Sequence, residues 1–349
     1  MRSTGRGAVA TVLTAMLASA AAGASAADFT LQGKTVTVIV SGGVGGGLDA
    51  YTRTFLPYFA KHLPGVPTMV VQNLPGGGGV QGVQRLYNVA AKDGTAIATT
   101  PAGPIKEPLM GSGNVNYDLR KFGWIGSLTK EDTMCLVWHN SPIMNLDDAR
   151  KHEVTLSATG TASNSTLGPY LLNDLLGTKF KPISGYDGGT SMLAVERGEV
   201  DGRCTTLSSV RTSQPRWISE KLVRGLVAIS NIRDVAFPDT PRAIDLLKSD
   251  SDRRALTFFQ APDEIQNPVF LPPDVPEEIL SVYRGAFVET MKDRGYLADA
   301  EKRQQSLAPR PGQEVQATIE SMYETPPEVI ARVKRATTIT GRAGGNGKK

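Results

Sequence analysis

The pattern of apolar and polar positions predicts short strands that alternate with amphipathic helices. A β-branched run from Val36 to Val40 ends in a glycine-rich loop, after which apolar residues recur at helical spacing from Leu48 to Phe59. A second run at residues 68–72 leads through four glycines into a helical pattern from Val80 to Ala90, and a third run covers residues 95–100. Three strands alternating with two helices imply a parallel sheet with helices on both faces.

A second series of the same kind begins near residue 129. Its predicted strands are residues 134–138, 154–158, 180–184 and 200–205, and its predicted helices are residues 146–151, 166–176 and 190–197. The C-terminal third is predicted to be helical, at residues 276–291, 296–304, 313–323 and 327–335. The third strand is expected to end in an irregular segment at residues 101–104. The sequence therefore predicts an α/β protein, with ligands at the carboxyl ends of the strands.

The first residues have the organisation of a secretory signal peptide. Arg2 and Arg6 form a short basic region, residues 8–22 are apolar and small, and Ala24 to Ala26 supplies a small-x-small cleavage site. The apolar run of roughly 15 residues is shorter than the roughly 20 that a transmembrane anchor needs. We therefore expect residues 1–26 to be removed near Ala26 and the mature chain to be periplasmic. The glycine-rich basic end, residues 338–349, is predicted to be disordered.

The loop after the first strand is typical of an anion-binding site. Backbone N–H groups converge where a helix begins, and glycine lets a ligand approach the main chain closely. Gly45, Gly47 and Ala50 also fit a dinucleotide-binding pattern, but the acidic residue expected about 20 positions later is replaced by Gln72 or Asn73. Nicotinamide cofactors are also scarce outside the cytoplasm, so a different anion is favoured. Similar donor-rich entries to helices occur at residues 159–165 and 185–189.

No pattern of catalytic or metal-binding residues stands out. The three histidines lack metal-ligand spacing, and no G-x-S-x-G segment is present. Glu196 and Glu199 are better explained as a solvated turn than as an acid–base pair. The formal net charge of +4 falls by two, to +2, without Arg2 and Arg6, and the basic residues are dispersed, which argues against nucleic-acid binding. We expect a binding protein without catalytic residues, metal or cofactor.

Cys135 and Cys204 are the only cysteines, and both lie in strand-like runs. In an exported protein, an isolated pair of cysteines more often forms a disulfide than stays free. The loop closed by this bond would stabilise the folded state by about 4 kcal/mol in the chain-entropy model. The alternative is two buried thiols. A thiol nucleophile is disfavoured, because neither cysteine lies in a Cys-x-x-Cys motif or has a histidine nearby.

Three segments resemble, in order and spacing, the extracytoplasmic substrate-binding receptors of tripartite tricarboxylate transporters, the Bug-type receptors. Residues 36–53, VTVIVSGGVGGGLDAYTR, are similar to the family's first strand and its glycine loop ending in G-x-D-x-x-A-R. Residues 70–94 resemble its V-x-N-x-P-G-A-G-G stretch, and residues 185–201 resemble its Y-x-G-G segment ending in G-x-V-D. The resemblance spans residues 28 to about 336, and the extended C-terminus is typical of a divergent branch.

This resemblance implies a type II periplasmic binding protein, or Venus flytrap, with two lobes that are each a mostly parallel sheet flanked by helices. Lobe 1 would combine residues 27–128 with 241–337, and lobe 2 would hold residues 129–240. The implied ligand is a small carboxylate bound in the cleft between the lobes, and the implied partners are membrane permease subunits of a tripartite tricarboxylate transporter. A monomer is expected. A secreted ligand sensor of the same fold, docking a signalling protein, is the alternative function.

The resemblance also implies a set of ligand-binding positions in four loops, through backbone amides, hydroxyls and ordered waters. They are Val44, Gly45, Gly46, Gly47 and Asp49; Thr100, Ala102 and Gly103; Thr159, Gly160, Thr161, Ala162, Ser163, Asn164 and Ser165; and Tyr186, Asp187, Gly188 and Gly189. Asp187 departs from the family, because many members carry a basic or neutral residue there.

Overall fold

The computed structural model describes residues 29–111, 115–158, 163–186, 188–231 and 233–338. Its strands are β1 (Thr35–Val40), β2 (Thr68–Asn73), β3 (Ala96–Thr99), β4 (Gly123–Thr129), β5 (Thr133–Trp138), β6 (Val154–Ala158), β7 (Phe180–Ser184), β8 (Gly202–Thr206), β9 (Val223–Ala228), β10 (Gln266–Leu271) and β11 (Arg310–Pro311). Its helices are α1 (Gly47–His62), α2 (Val80–Val89), α3 (Ala102–Met110), α4 (Leu146–Lys151), α5 (Asn164–Leu176), α6 (Gly188–Glu196), α7 (Leu207–Ser213), α8 (Arg216–Ser219), α9 (Ala243–Leu246), α10 (Asp250–Gln260), α11 (Glu277–Thr290), α12 (Arg294–Lys302), α13 (Gly312–Tyr323) and α14 (Pro327–Thr337). None of these helices is long and apolar enough to span a membrane.

Sheet 1 has the strand order β11-β4-β10-β3-β1-β2. β1 pairs in parallel with β2 and β3, which confirms the predicted parallel unit. β10 pairs antiparallel with β3 on one side and β4 on the other, so the sheet is mixed. The sequence analysis missed β10 and placed only helices in the C-terminal third. Every residue of β10 is buried, so it shows no alternation between polar and apolar positions.

Sheet 2 has the strand order β7-β6-β8-β5-β9 and is also mixed. β6 pairs in parallel with β7 and β8, while β5 pairs antiparallel with β8 and β9. The four predicted strands of this unit are confirmed as β5 to β8, and β9 was not predicted. The chain passes from sheet 1 to sheet 2 through residues 130–132 and returns from β9 to β10 through residues 229–265.

The predicted irregular segment at residues 101–104 is wrong, because α3 already begins at Ala102. Pro101 is extended and precedes the helix, and Pro104 lies in its first turn. Proline is tolerated there because first-turn N–H groups have no carbonyl partner within the helix. The two prolines therefore mark the start of a helix, and β3, α3 and their junction repeat the arrangement of β1 and α1.

Two of the helices after β10, α11 and α12, pack with α1 on one face of sheet 1. Phe55 and Phe59 of α1 stack on each other with ring centroids 4.6 Å apart. They pack against Tyr283 and Phe287 of α11 and Tyr296 of α12. All five side chains are buried, so α11 and α12 hold α1, and the loop before it, against sheet 1.

Cys135 of β5 and Cys204 of β8 lie directly opposite each other in sheet 2. The structure joins them in a disulfide, and both residues are completely buried. This confirms the disulfide over the alternative of two free thiols. The bond ties the antiparallel half of sheet 2 to β8, which leads into the parallel half.

Candidate ligand-binding site

Four helices begin where a parallel strand ends, and these junctions contain most of the predicted ligand-binding residues. In sheet 1, β1 leads into α1 and β3 into α3; in sheet 2, β6 leads into α5 and β7 into α6. The first N–H groups of each helix have no carbonyl partner within the helix, and the helix dipole adds about half a positive charge. The arrangement suits the binding of an anion.

The glycine loop before α1 is held by the buried carboxylate of Asp49. Asp49 Oδ2 accepts hydrogen bonds from the Gly45 N–H and from Arg53 Nε, both at 2.9 Å, and Asp49 Oδ1 accepts one from Asn73 Nδ2 at 2.9 Å. Asn73 Nδ2 also donates to the Gly42 carbonyl at 3.0 Å. We call Asp49, Arg53 and Asn73 the loop clamp, because they fix the loop from inside.

The loop clamp changes the predicted role of Asp49. Burial opposes ionisation, but the hydrogen bonds from Arg53, Gly45 and Asn73 outweigh it and hold the pKa of Asp49 below its ordinary value. Because its oxygens already accept from three donors, Asp49 positions the glycine loop. The N–H of Gly45 is likewise occupied. The N–H of Gly46 is occupied as well, because it donates to the Gly43 carbonyl at 3.3 Å. Gly47 is the first residue of α1, and the Val44 side chain is exposed.

The junction between β3 and α3 contains a buried hydroxyl group. Thr100 is 1% exposed, and its Oγ1 has no hydrogen-bond partner among the residues that the structure describes. Ala102 and Gly103 form the first turn of α3. Gly79, before α2, packs so closely that a Cβ there would lie 2.7 Å from the Ser41 carbonyl oxygen. The ends of β1, β2 and β3 are therefore brought together at one edge of sheet 1.

The start of α5 is bonded to the first half of the chain. Ser163 precedes the helix, and its hydroxyl lies 2.8 Å from that of Ser165. The buried Lys106 of α3 donates from Nζ to Asn164 Oδ1 at 2.5 Å, and Asn164 Nδ2 donates to Asp263 Oδ1 at 3.0 Å. Both ends of the Asn164 amide are thus used inside the protein, so Asn164 joins α5 to α3 and to the segment before β10.

The fourth junction leads into α6. Gly188 and Gly189 begin this helix, and the Tyr186 N–H donates to the Ala158 carbonyl at 3.4 Å. That bond links the ends of the parallel strands β6 and β7. The predicted positions Thr159, Gly160, Thr161, Ala162 and Asp187 lie outside the described residues, as do residues 1–26 and 339–349. Within the described ranges, no group of three or more His, Cys, Asp or Glu side chains is placed to hold a metal ion.

A family model described as the tripartite tricarboxylate transporter family receptor matches residues 58–303, well over half of the sequence. This chain belongs to that receptor family. Comparison with curated protein sequences gives no match. Receptors of the family are periplasmic solute-binding proteins, so membership confirms the resemblance drawn from the glycine loop and the two later segments.

Solved structures share the fold of this tripartite tricarboxylate transporter receptor. A TctC solute-binding protein from Polaromonas is 19% identical, with a TM-score of 0.64 over 85% of this chain and 98% of that one. MatC from Rhodopseudomonas palustris, solved with malate, is 22% identical, with a TM-score of 0.63 over 87% and 99%. An R. palustris protein solved with adipate is 15% identical, with a TM-score of 0.65 over 86% and 97%. These matches confirm the predicted periplasmic-binding-protein fold, with mixed sheets.

Sequence reasoning missed three charged residues where the two halves of the receptor meet, namely Lys106, Glu131 and Asp263. Burial lowers the pKa of Lys106 and raises that of Asp263, while their mutual attraction opposes both shifts. Lys106 is the only charged residue in the segment 102–106, and a single charge after four uncharged residues could have marked it as a candidate buried lysine. Asp263 carries no such signal, because its partner Asn164 is 99 residues away.

Proposed function

We propose that this receptor captures a small carboxylate in a cleft between two lobes and delivers it to the membrane permease subunits of a tripartite tricarboxylate transporter. Membership of the family supports the delivery role. Relatives of the same fold were solved with malate and with adipate, which supports a carboxylate as the ligand class. The observation that carries the proposal is the junction of four strand ends with four helix starts, α1, α3, α5 and α6.

The proposed lobes follow the two sheets. Lobe 1 comprises residues 27–128 with 241–337, and lobe 2 comprises residues 129–240. In support, the strands of sheet 1 lie at residues 35–129 and 266–311, and those of sheet 2 at residues 133–228. We also propose that residues 1–26 direct export and are removed near Ala26, which fits the periplasmic location of the family.

Within the cleft, the ligand carboxylate is bound by the N–H group of Gly47, at the start of α1, and by the Thr100 hydroxyl on the lobe 1 side. On the lobe 2 side it meets Ser163 and Ser165, at the start of α5, and the start of α6. Thr100 supports this assignment, because a buried hydroxyl without a described partner is destabilising unless a ligand or water satisfies it.

A thermal-shift screen of mono-, di- and tricarboxylates tests the proposal on the purified mature protein. A true ligand at about 100 times its Kd should stabilise the folded state by about 2.7 kcal/mol. The methyl ester of the best ligand is the matched control, and it should give no shift because it lacks the charged group. Stabilisation by no carboxylate, or equal stabilisation by acid and ester, would contradict the proposal.

A further inference from the structure

The connection between the sheets places Glu131 at the meeting point of both sets of strand ends. β4 is antiparallel to β10, which is antiparallel to β3, so β4 runs parallel to β3 and β1. Glu131 lies two residues after the end of β4, at the same edge of sheet 1 as Thr100 and the glycine loop. Only β10 separates β4 from β3, a spacing of about 10 Å at the usual distance between strands.

Glu131 also lies at the carboxyl edge of sheet 2. Thr133, at the start of β5, pairs with Thr206 at the end of β8, and β8 runs parallel to β6. Ser208 Oγ donates to Glu131 Oε2 at 2.7 Å. The Glu131 N–H donates to the Asp263 carbonyl at 2.8 Å, and the Asp263 side chain accepts from Asn164 at the start of α5. Glu131 is therefore connected through Asp263 to Asn164, which is one of the predicted ligand-binding residues.

The charges around this point are mostly acidic. Glu131, its neighbour Asp132 and Asp263 form what we call the acidic floor, and Glu131 and Asp132 are partly exposed. Among the described cations nearby, Arg211 is paired with Asp234, and Lys106 donates to Asn164 and to the Phe259 carbonyl. Lys130, which precedes Glu131, is exposed and lowers the pKa of Asp132. A second negative group on a ligand would still face the three carboxylates of this floor.

The Glu131 carboxyl has capacity left for a ligand. Burial raises its pKa to about 7, hydrogen bonds from Ser208 and Thr206 lower it, and Asp263 and Asp132 raise it further. The charged and titratable groups around it are Asp132, Asp263, Glu264, Lys130, Arg211 and Tyr51, together with the hydroxyls of Ser208 and Thr206. A carboxylate has about four acceptor positions, and the two hydroxyls use two of them.

We propose that Glu131 is a specificity-determining residue, which accepts a hydrogen bond from a hydroxyl or ammonium group at the end of the ligand remote from its carboxylate. The preferred ligand is then a monocarboxylate with a terminal donor, and a dicarboxylate of the same length is disfavoured. This inference rests on the proposed function, because the helix starts must hold the first carboxylate. Ionised Glu131 repels a second carboxylate, whereas a hydroxyl or ammonium group can donate to it.

Calorimetry with matched probes tests the inference. The probes are linear carboxylates of three to six carbons that end in a methyl, hydroxyl, ammonium or second carboxylate group. At pH 8 the wild-type protein should bind the hydroxyl- or ammonium-ended form at least about tenfold more tightly than the dicarboxylate of equal length. At pH 6 this preference should shrink, because Glu131 is then mostly neutral. The hydroxyl and ammonium probes separate the two kinds of donor.

Glu131→Gln keeps the size of the side chain and removes its charge, so it should reduce the preference to within about threefold and abolish its dependence on pH. Glu153→Gln is the matched control, because Glu153 is an exposed partner of Lys181 before β6, at the opposite edge of sheet 2. A wild-type protein that binds the dicarboxylate as tightly as the donor-ended probe, or a preference that survives Glu131→Gln, would overturn the inference alone. Binding of no probe would instead contradict the proposed function.

Discussion

Replacing Asp49 by asparagine should loosen the glycine loop while leaving α1 intact. The variant keeps the shape of the side chain but has one acceptor oxygen instead of two. In the native loop clamp, one carboxylate oxygen accepts from Gly45 and Arg53, and the other accepts from Asn73. The new amide NH₂ group must therefore face at least one of these donors, which removes a hydrogen bond and creates a contact between two donors.

The size of the stability loss follows from how deeply Asp49 and Arg53 are buried. A hydrogen bond to a buried charged acceptor contributes about 1.5–3 kcal/mol. The Arg53 side chain is 49% exposed, so the ion pair itself adds at most about 1 kcal/mol. We expect the free energy of unfolding to fall by about 2–4 kcal/mol at neutral pH. Since the pKa of Asp49 is lowered in the folded state, this contribution is present above its unfolded pKa and is lost as the pH falls through the folded value.

Urea denaturation measures the change in stability, and calorimetry with the best carboxylate measures the change in affinity. The control is Asp147→Asn, which breaks an exposed 2.6 Å ion pair with Arg150 and should change stability by less than about 1 kcal/mol. If the loop clamp positions the donors, affinity for the ligand should fall at least about tenfold in Asp49→Asn and stay unchanged in the control. A stability loss below about 0.5 kcal/mol with unchanged affinity would refute the reasoning.

Four further outcomes are expected. Gly46→Val should weaken carboxylate binding at least about tenfold without unfolding the protein, because Gly46 has an extended backbone and a new Cβ would meet only the Gly43 carbonyl, at 3.3 Å; unchanged affinity by calorimetry would count against a role in binding. Reducing the disulfide between Cys135 and Cys204, which spans 69 residues, should lower stability by up to about 4 kcal/mol; intact mass before and after reduction checks that the bond is present, and an unchanged urea midpoint would contradict the estimate. Glu131→Gln should raise the melting temperature at pH 8 but not at pH 5, because the folded pKa of about 7 lies above the ordinary 4.5 and destabilises the wild type as the pH rises through that interval. Solution scattering should give a smaller radius of gyration with saturating ligand than without, and tight binding with an unchanged curve would indicate a site that is already closed.

Local periodicity was enough to predict most helices and the parallel strands. The amphipathic spacing of Phe55 and Phe59 predicts the buried face of α1, and the β-branched run before the glycine loop predicts β1. β10 could not be found this way. Its position between β3 and β4 is set by pairing with segments more than 130 residues earlier in the chain, and burial on both faces removes the alternating pattern. Its Pro268 also made a central strand less expected.

The candidate site, like the fold, has local features that the sequence predicts and long-range contacts that it does not. Glycine loops and helix starts are local features, so the sequence could predict where donors gather. The four-residue spacing of Asp49 and Arg53 is also a local feature, typical of an ion pair along a helix, although the sequence analysis did not use it. Asn73 lies 24 residues from Asp49, and Lys106 lies 58 residues from Asn164. Such contacts depend on how the sheets are placed, so the sequence alone could not show that the polar atoms of Asp49 and Asn164 have partners within the protein.

The contacts between the two halves of the receptor also limit how a cleft could close. α14 packs against α5, α10 and α3, and one buried apolar cluster includes Leu171 of α5, Phe259 of α10 and Val333 of α14. On this side Lys106 and Asn164 are joined by a hydrogen bond, with Lys106 almost completely buried. Separating the proposed lobes there would expose apolar surface and leave the buried charge of Lys106 without its partner, which is strongly destabilising. If the two proposed lobes close on a ligand, the closure must pivot near these helices, with residues 130–132 and 229–265 as the crossing segments. The fall in radius of gyration on binding should be small, and a large one would mean that this packed side opens.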